Sequence, residues 1–425
     1  MKRIFSMFVF ILLLTTTMAV AQEEELPDAG TTPDSALYGL DRAFERIGLA
    51  LTFSKAAKAE KRLQIASERL AELKAMTDKG KPEYSDDLAN EYDNNIKEAN
   101  EIATIAKLLR EDRSKLTELI ALTTSKHLFV LDKVKEKVPE QAKEAIMKAK
   151  EASMNGQKNA LRALSEDKPE KAAEINLNSA KGRLNRAKEK AATGESEDVE
   201  EALEEYAQMA ELSKELAEKD AETAEDIAAD FNEQLADLDE IEDIMPDVKE
   251  KVKEKKSSSL EKQRNTLRSL ARNKPEEAAE IFSKAAEARL NRAKAKADEN
   301  KIEGVEDEIG EFEKLANFGN EISQIAQGLG KDTTTVDQLV AKATTHHLEV
   351  LAEVYEKVPE QAKAAIERAM NKSANGREIA VEALKKNGAL GDISEEVPAT
   401  VSEKIPETVK ERIGIKEKPE TTGKP

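Results

Sequence analysis

The sequence predicts an all-α protein, an elongated helical-repeat array of three tandem units with about four antiparallel helices each. Three observations predict this: a composition rich in Ala, Glu, Lys and Leu, a 3-and-4 spacing of apolar residues, and an internal repeat. Only 4% of the 425 residues are aromatic, tryptophan is absent, and 36% are charged. The predicted core is therefore aliphatic and thin, as in long amphipathic helices.

The internal repeat appears first at an offset of 220 residues. HLFVLDKVKEKVPEQAKEAI begins at His127, and HLEVLAEVYEKVPEQAKAAI begins at His347. A middle copy is marked by DKPEKAAEI at Asp167, which recurs as NKPEEAAEI at Asn273. The middle copy is seven residues shorter, and seven residues make about two helical turns, so the apolar face is kept. Repeats of this length predict stacked helical units.

The periodicity within the first unit gives its individual helices. One apolar face follows the helical spacing through Leu116, Leu119, Ile120, His127, Val130, Leu131, Val134 and Val138. The predicted helices lie near 35–52, 55–79, 84–111, 114–137 and 139–165. Pro169 and Pro275 suit the first turn of a helix. Pro139, Pro246 and Pro359 mark either turns or kinks.

The start of the chain has the pattern of a secretory signal peptide. Lys2 and Arg3 precede an apolar run from Ile4 to Leu14, and Ala19-Val20-Ala21 forms a small-residue cleavage site. We therefore expect export, with cleavage before Gln22; retention as an anchor helix is the alternative. After cleavage no apolar stretch is long enough to span a membrane. The location predicted for the mature protein is secreted, cell-surface or periplasmic.

The predicted organisation of the chain follows from these signals. Glycine, proline and charge dominate after residue 388, where the repeat pattern stops. The predicted segments are a signal peptide (1–21), a flexible linker (22–33), helical unit 1 with an extra N-terminal helix (34–166), unit 2 (167–272), unit 3 (273–388) and a flexible, proline-containing tail (389–425). We expect one or two nascent helical turns in the tail.

Charge and cysteine content exclude several classes of function. The chain has 86 acidic and 67 basic residues, which gives a formal net charge of -19. This excess of acid disfavours nucleic acid and acidic membranes as partners. The chain contains no cysteine, so disulfides, cysteine metal sites and cysteine nucleophiles are excluded.

Two stretches of the first unit resemble a known family. They are PDSALYGLDRAFERIGLALTF from Pro33 to Phe53 and VPEQAKEAIMKAKEASMNGQKNAL from Val138 to Leu161. Both are similar to the exported helical family catalogued as domain of unknown function 5667. The resemblance covers about 33–165 well and 310–385 in part, and the middle unit keeps only the proline of the VPEQAK element. It implies an exported, largely helical protein and carries no established activity or catalytic residues.

The repeated histidines are the first candidates for chemistry. His127 lies on the apolar face, and hairpin geometry places it opposite Ser153; His347 and Ser373 repeat the arrangement. Because a buried imidazole without a partner costs about 1–3 kcal/mol, we interpret each histidine as a hydrogen-bonded polar group in a helix interface. A metal ligand or catalytic base is the alternative.

The middle unit favours the structural interpretation. An offset of 107 places Gln234 at the histidine position and Leu260 at the serine position, with Ser259 beside it. A required ligand or base would not become glutamine. The acid-rich stretches from Glu195 and Asp237 lack the alternating oxygen ligands and central glycine of a calcium loop, which predicts solvated helix faces. We therefore predict no catalytic, cofactor-binding or metal-binding residues.

The function expected from the sequence is that of a non-catalytic, exported interaction scaffold. Its partner would be a protein or another component of the cell envelope. An extracytoplasmic chaperone or envelope-stress protein is the first alternative, and an exposed apolar groove would favour it. Weak divalent-cation binding is the second, and carboxylates clustered from different helices would favour it. An enzyme is the least favoured class.

Overall fold

The computed structural model describes residues 26–108 and 113–412, and in these ranges all regular secondary structure is helical. The predicted all-α, tandem helical fold is confirmed. Contacts divide the chain into two compact units, Met1–Ala163 and Leu164–Pro425. Among the described residues, no helix combines the length and the hydropathy that a membrane span requires. The predicted signal peptide and the end of the tail lie outside the described residues.

The first unit has the helices that the periodicity predicts, and their described ends lie within three residues of the prediction; the predicted end of the third helix, at 111, lies outside the described residues. They are α1 (Tyr38–Ala50), α2 (Lys55–Asp78), α3 (Ser85–Leu108), α4 (Ser114–Lys135) and α5 (Glu140–Leu164). The last residue of α5, Leu164, is the first residue of the second compact unit. Ser54 caps α2, because its side chain accepts a hydrogen bond from the amide of Ala57. Pro139 lies in the turn between α4 and α5.

The second compact unit contains the middle and last repeats and part of the tail. Its helices are α6 (Pro169–Thr193), α7 (Ser196–Ala217), α8 (Ala221–Ile244), α9 (Lys249–Asn273), α10 (Pro275–Asp298), α11 (Ile302–Leu315), α12 (Phe318–Gly328), α13 (Thr334–Lys357), α14 (Glu360–Lys386), α15 (Ala399–Ser402) and α16 (Glu407–Arg412). Neighbours in sequence pack as pairs, notably α6 with α7, α8 with α9 and α13 with α14.

The prolines lie at helix boundaries. Pro169 and Pro275 occupy the first residues of α6 and α10, where the missing amide hydrogen costs nothing. Pro246 begins a short 3-10 turn, Pro246–Val248, between α8 and α9, and Pro359 precedes α14. These prolines therefore mark turns between helices and do not kink a continuous helix.

The last repeat departs from four helices because its second helix is divided. α11 ends before Ala316, and α12 begins at Phe318. At Gly319, a Cβ atom would come within 2.7 Å of a Val340 methyl and 2.8 Å of the Phe282 ring. Glycine therefore permits a close approach of α12 to its neighbours that a larger residue would prevent.

The tail is packed as far as it is described. α15 contacts α13, and α16 contacts α14. Val401, Ile405 and Val409 are buried. Arg377 of α14 donates hydrogen bonds to the backbone carbonyls of residues 394, 395 and 396, at 2.6–3.1 Å. The expected helical turns are present, and they have a defined packing that the interpretation as a flexible tail did not anticipate.

Candidate functional site

His127 lies in a buried polar network to which four helices contribute. Its Nδ1 is 2.9 Å from the hydroxyl of Tyr92, and its Nε2 is 2.9 Å from the hydroxyl of Ser67. The Tyr92 hydroxyl also forms a hydrogen bond with Ser153. The structure therefore brings His127 and Ser153 into one network, as the hairpin geometry suggested, but Tyr92 stands between them. We missed Tyr92 as a member.

The hydrogen bonds assign the protons of this network. Burial lowers the pKa of His127 to about 3, so the ring is neutral near pH 7. Ser67 donates to the carbonyl of Leu63 at 3.0 Å and therefore accepts from Nε2 of His127. This leaves Nδ1 to accept from Tyr92, whose oxygen accepts from Ser153. Each polar hydrogen has a partner, which is the requirement for a stable buried polar group.

The middle repeat has the same network with glutamine in place of histidine. Tyr206 donates to Oε1 of Gln234 at 2.8 Å, and its hydroxyl is 2.8 Å from that of Ser259. The serine position is therefore Ser259, and our placement of Leu260 there is wrong. The offset from the first repeat changes from 107 to 106 after Pro246, where a 3-10 turn shifts the register by one residue.

The last repeat has lost the central hydroxyl. Phe312 replaces the tyrosine, and its ring meets that of His347 edge-on, with centroids 5.1 Å apart. Nδ1 of His347 and the Ser373 hydroxyl are buried and have no hydrogen-bond partner in the described part of the chain. Burial lowers the pKa of His347 to about 3. Two polar groups thus remain in place although the hydroxyl that joins them elsewhere is missing.

A second buried feature is a cluster of ionised side chains between α8, α9, α10 and α11, which we call the ionic cluster. It consists of Asp239, Lys256, Arg289, Arg292, Glu308 and Glu311. Asp239 is central, because its carboxylate lies 2.7 Å from Lys256, 2.9 Å from Arg289 and 3.0 Å from Arg292. Burial raises the pKa of Glu308, and nearby Asp239 raises it further.

The carboxylates of the ionic cluster are close enough to be considered as a metal site. Oxygen atoms of Asp239, Glu308 and Glu311 lie within 4.8 Å of one another. Three basic side chains already contact these three acids, so the formal charges balance without a metal ion. The geometry therefore fits an ion-pair network, in which any added cation would have to displace Lys256 or an arginine.

The ionic cluster corrects one prediction. We expected the acid-rich stretches from Glu195 and Asp237 to be solvated, yet Glu205 and Asp239 are buried. The reason is helical phase, because Asp239 follows Phe231, Leu235 and Leu238 on the core-facing side of α8. The apolar spacing carried this signal, but acid-rich composition concealed it.

A buried arginine paired with a glutamate recurs in each repeat, and the glutamate is also buried in the middle and last repeats. Arg69 lies 3.8 Å from Glu91, Arg183 lies 2.9 Å from Glu205, and Arg289 lies 3.0 Å from Glu311, at sequence offsets of 114 and 106. Asp239 of the preceding repeat completes the environment of Arg289. In the first repeat, α1 supplies the corresponding acid, because Glu45 forms an ion pair with Arg69. The N-terminal helix thus takes the electrostatic place of a preceding repeat.

The outer face of α1 carries an exposed row of large apolar side chains, which we call the α1 row. Its members are Leu40, Phe44 and Ile47 of the helix and the capping residues on either side, Leu37 and Leu51, each more than half exposed. Phe53, just beyond the helix, is 91% exposed. The opposite face of α1 faces α2, where Tyr38 donates to Glu72 at 2.8 Å. The helix is therefore anchored by its polar face, and its apolar face is open to solvent.

The comparisons with known proteins agree with a tandem helical-repeat protein. Residues 30–141 match the family described as domain of unknown function (DUF5667), which confirms the resemblance for those residues. No curated protein matches the chain. The chain is similar to a solved structure described as "Circular tandem repeat protein with novel repeat topology and enhanced subunit contact surfaces", with a TM-score of 0.52 and 13% identity, over 83% of this chain and 78% of that one. At this identity, the similarity shows the fold alone.

Proposed function

We propose that this protein is a non-catalytic, exported scaffold that binds partners in the extracytoplasmic space. The α1 row carries the proposal. A contiguous apolar surface is unusual on a monomeric protein and marks a site of interaction. The helical-repeat fold supports the same function, because stacked helices offer extended binding surfaces.

The buried network around His127 supports a structural role for that histidine. Tyr92, His127 and Ser153 are buried, and their hydrogen bonds go to one another and to Ser67. A general base has to reach the proton that it removes from a substrate. A histidine whose pKa is lowered to about 3, enclosed among helices, meets neither the geometric nor the acid–base requirement near pH 7.

The shape of the apolar surface favours a scaffold over a chaperone. Leu37, Phe44 and Leu51 lie along the outer side of a single helix, whereas a chaperone of the kind we considered would present a groove. A row on one helix suits a defined partner of complementary shape. The cation-binding alternative loses its support for a different reason, since Lys256 and two arginines already balance the clustered carboxylates.

Proximity labelling on intact cells tests the proposal. The chain would be fused to a labelling enzyme after its last residue, beside a matched fusion that carries Phe44→Ser and Ile47→Ser. We expect the parent to label a small, reproducible set of extracytoplasmic components and the variant to lose at least one of them. Labelling restricted to cytoplasmic proteins, or a set that is the same in both fusions, would contradict the proposal.

A further inference from the structure

We propose that the α1 row is a self-association surface, through which two copies of this chain pair with their α1 helices antiparallel. The inference rests on the proposed function and names the occupant of the same surface. Phe44 would lie at the two-fold axis, with Leu37 of one copy opposite Leu51 of the other. Leu40 would lie opposite Ile47. The contact is isologous, the commonest arrangement in homodimers.

The spacing of the row indicates a helical partner. Leu37, Leu40, Phe44, Ile47 and Leu51 are separated by three and four residues in alternation, the spacing of the seam between two packed helices. A second row, made of Ala36, Ala43 and Ala50, runs beside it at intervals of seven, and all three alanines are exposed. Small residues along one edge of the seam let a second helix approach closely.

The two ends of the repeat series differ in a way that supports this pairing. At the C-terminal end, α15 and α16 pack on α13 and α14 and bury their own apolar residues. At the N-terminal end, α1 takes the electrostatic place of a preceding repeat through Glu45. Between the middle and last repeats, α8 supplies the corresponding acid, Asp239, and α8 itself packs against α6 and α9. Terminal repeats normally show a polar outer face, but α1 has an apolar one.

Charge disfavours an anionic lipid surface as the occupant of the row, and the local balance of charge on α1 permits a second copy. The chain has a net charge of -19, whereas α1 itself carries two acids and two bases. Interfacial helices are usually rich in free Lys and Arg, yet Arg42 is bound to Glu45 and Glu91. Lys55 and Lys58 lie beyond the C-terminal end of the row, so an antiparallel pair keeps these lysines of the two copies at opposite ends of the contact.

The area of the row suits a modest interface. If each large apolar side chain offers about 150–200 Å² and more than half is exposed, the row with Phe53 presents on the order of 600 Å². A standard interface buries about 800 Å² on each partner. The alanine row and the flanking side chains would supply the remainder. We therefore expect a reversible dimer.

Light scattering after size exclusion, over a range of protein concentrations, is the first test. We expect the molar mass to approach twice that of the chain as the concentration rises. Phe44→Ser combined with Ile47→Ser should give a monomer with unchanged helical circular dichroism. The matched control is Leu329→Ser, because Leu329 is also an exposed leucine, at 57%, and it lies outside the row. That variant should dimerise like the parent.

Cross-linking is the second test, and the absence of cysteine from the chain makes it specific. Phe44→Cys should form a disulfide-linked dimer on mild oxidation, since residues at a two-fold axis come within disulfide range. Leu329→Cys should remain largely uncross-linked. Sedimentation with anionic and with zwitterionic vesicles completes the set.

Three results would each overturn the proposal. They are a parent that stays monomeric, a dimer that survives the row substitutions, and a monomer that sediments with vesicles through the row. The scaffold is judged separately. A monomer whose row variant still loses an extracytoplasmic component in cells would retain the scaffold and reject the dimer. A dimer that depends on the row but labels no protein other than itself would retain the dimer and reject the scaffold.

Discussion

At the scale of single residues, one hydroxyl decides whether a buried polar network is complete. Tyr92 and Tyr206 each join two polar partners, whereas Phe312 leaves His347 and Ser373 apart. The sequence shows the tyrosine-to-phenylalanine replacement at an offset of 220, but it does not show that the tyrosine lies between histidine and serine. That information depends on how α3 packs against α4 and α5, which periodicity alone does not determine.

Restoring the missing hydroxyl should stabilise the protein. Phe312→Tyr would place an oxygen between Nδ1 of His347 and the hydroxyl of Ser373, and we expect a gain of about 0.5–1.5 kcal/mol in the free energy of unfolding. The reciprocal change, Tyr92→Phe, should cost about 1–3 kcal/mol, because it leaves buried groups without partners. Urea denaturation measures both. A destabilised Phe312→Tyr variant would mean that the last repeat has no space for the hydroxyl.

The buried histidines should make stability depend on pH on the acidic side. Burial lowers the pKa of His127 to about 3 in the folded state, from an ordinary value of 6.5. The unfolded state therefore binds the proton more readily between these values, so stability is complete above about pH 6.5 and is lost as the pH falls towards 3. Each such histidine can contribute up to about 1.4 kcal/mol per pH unit.

His127→Gln tests both the pH dependence and the structural role. At neutral pH it should cost less than about 1.5 kcal/mol, since glutamine keeps a hydrogen-bonding group, as Gln234 does in the middle repeat. Between pH 6.5 and 3 the variant should lose less stability than the parent. His127→Leu should cost more, because Tyr92 and Ser67 lose their partner. If the glutamine variant unfolds and Zn²⁺ strongly stabilises the parent, His127 is instead a metal ligand.

At the scale of helices, the sequence predicted where each helix lies better than it predicted what the helix contacts. Periodicity placed the helices of the first unit within three residues, because an amphipathic helix has to keep one apolar face along its length. It did not predict the break at Ala316 or the ionic cluster. Both depend on contacts between distant segments, such as Gly319 with Phe282 and Asp239 with Arg289.

The ionic cluster should be far more sensitive to charge removal than a surface ion pair. Asp239→Asn takes one negative charge from three bases, of which Lys256 and Arg289 are buried, and we expect a loss of about 3–5 kcal/mol. Asp78→Asn is the matched control, because its pair with Lys74, at 3.1 Å, is exposed on both sides; it should cost less than about 1 kcal/mol. Equal melting temperatures for the two variants would show that the cluster tolerates an uncompensated charge.

At the scale of the whole molecule, the ends of the repeat series differ from its interior. The buried pair Asp132–Lys150, at 2.6 Å, recurs as Asp239–Lys256 in the middle repeat. At an offset of 220 from the first pair, the last repeat has Ala352 and Met370, both buried. The acid and the base thus disappear where no further repeat follows. Comparison of the repeats could detect this replacement from the sequence. Its structural reason is clear only from the ion pairs that the structure shows.

Export remains a prediction about the whole chain. The charged start, the apolar run and Ala19-Val20-Ala21 predict a mature N-terminus at Gln22. Mass spectrometry of the protein purified from its native source should therefore find a chain that begins there, in the extracytoplasmic fraction. Recovery of mature chains that retain Met1 would reject cleavage, and recovery from the cytoplasm would reject export.

The packed tail should act as the C-terminal cap of the repeat series. Removing residues 389–425 would expose the apolar surface against which Val401, Ile405 and Val409 are buried. It would also take from Arg377 the three backbone carbonyls that accept its hydrogen bonds, while burial lowers the pKa of this arginine. Both losses act on α13 and α14, so we expect the second compact unit to be destabilised.

Burying an aliphatic side chain contributes about 1.5–3 kcal/mol, so the loss of three should lower the free energy of unfolding by several kcal/mol. A shorter deletion, of residues 413–425, is the matched control, because it keeps Val401, Ile405 and Val409 in the chain, and it should lower the melting temperature less than the long deletion. Hydrogen exchange would locate the effect. We expect faster exchange in α13 and α14 and unchanged exchange in the first unit. If the long deletion melts like the parent, the tail covers these helices without stabilising them, and its role as a cap is wrong.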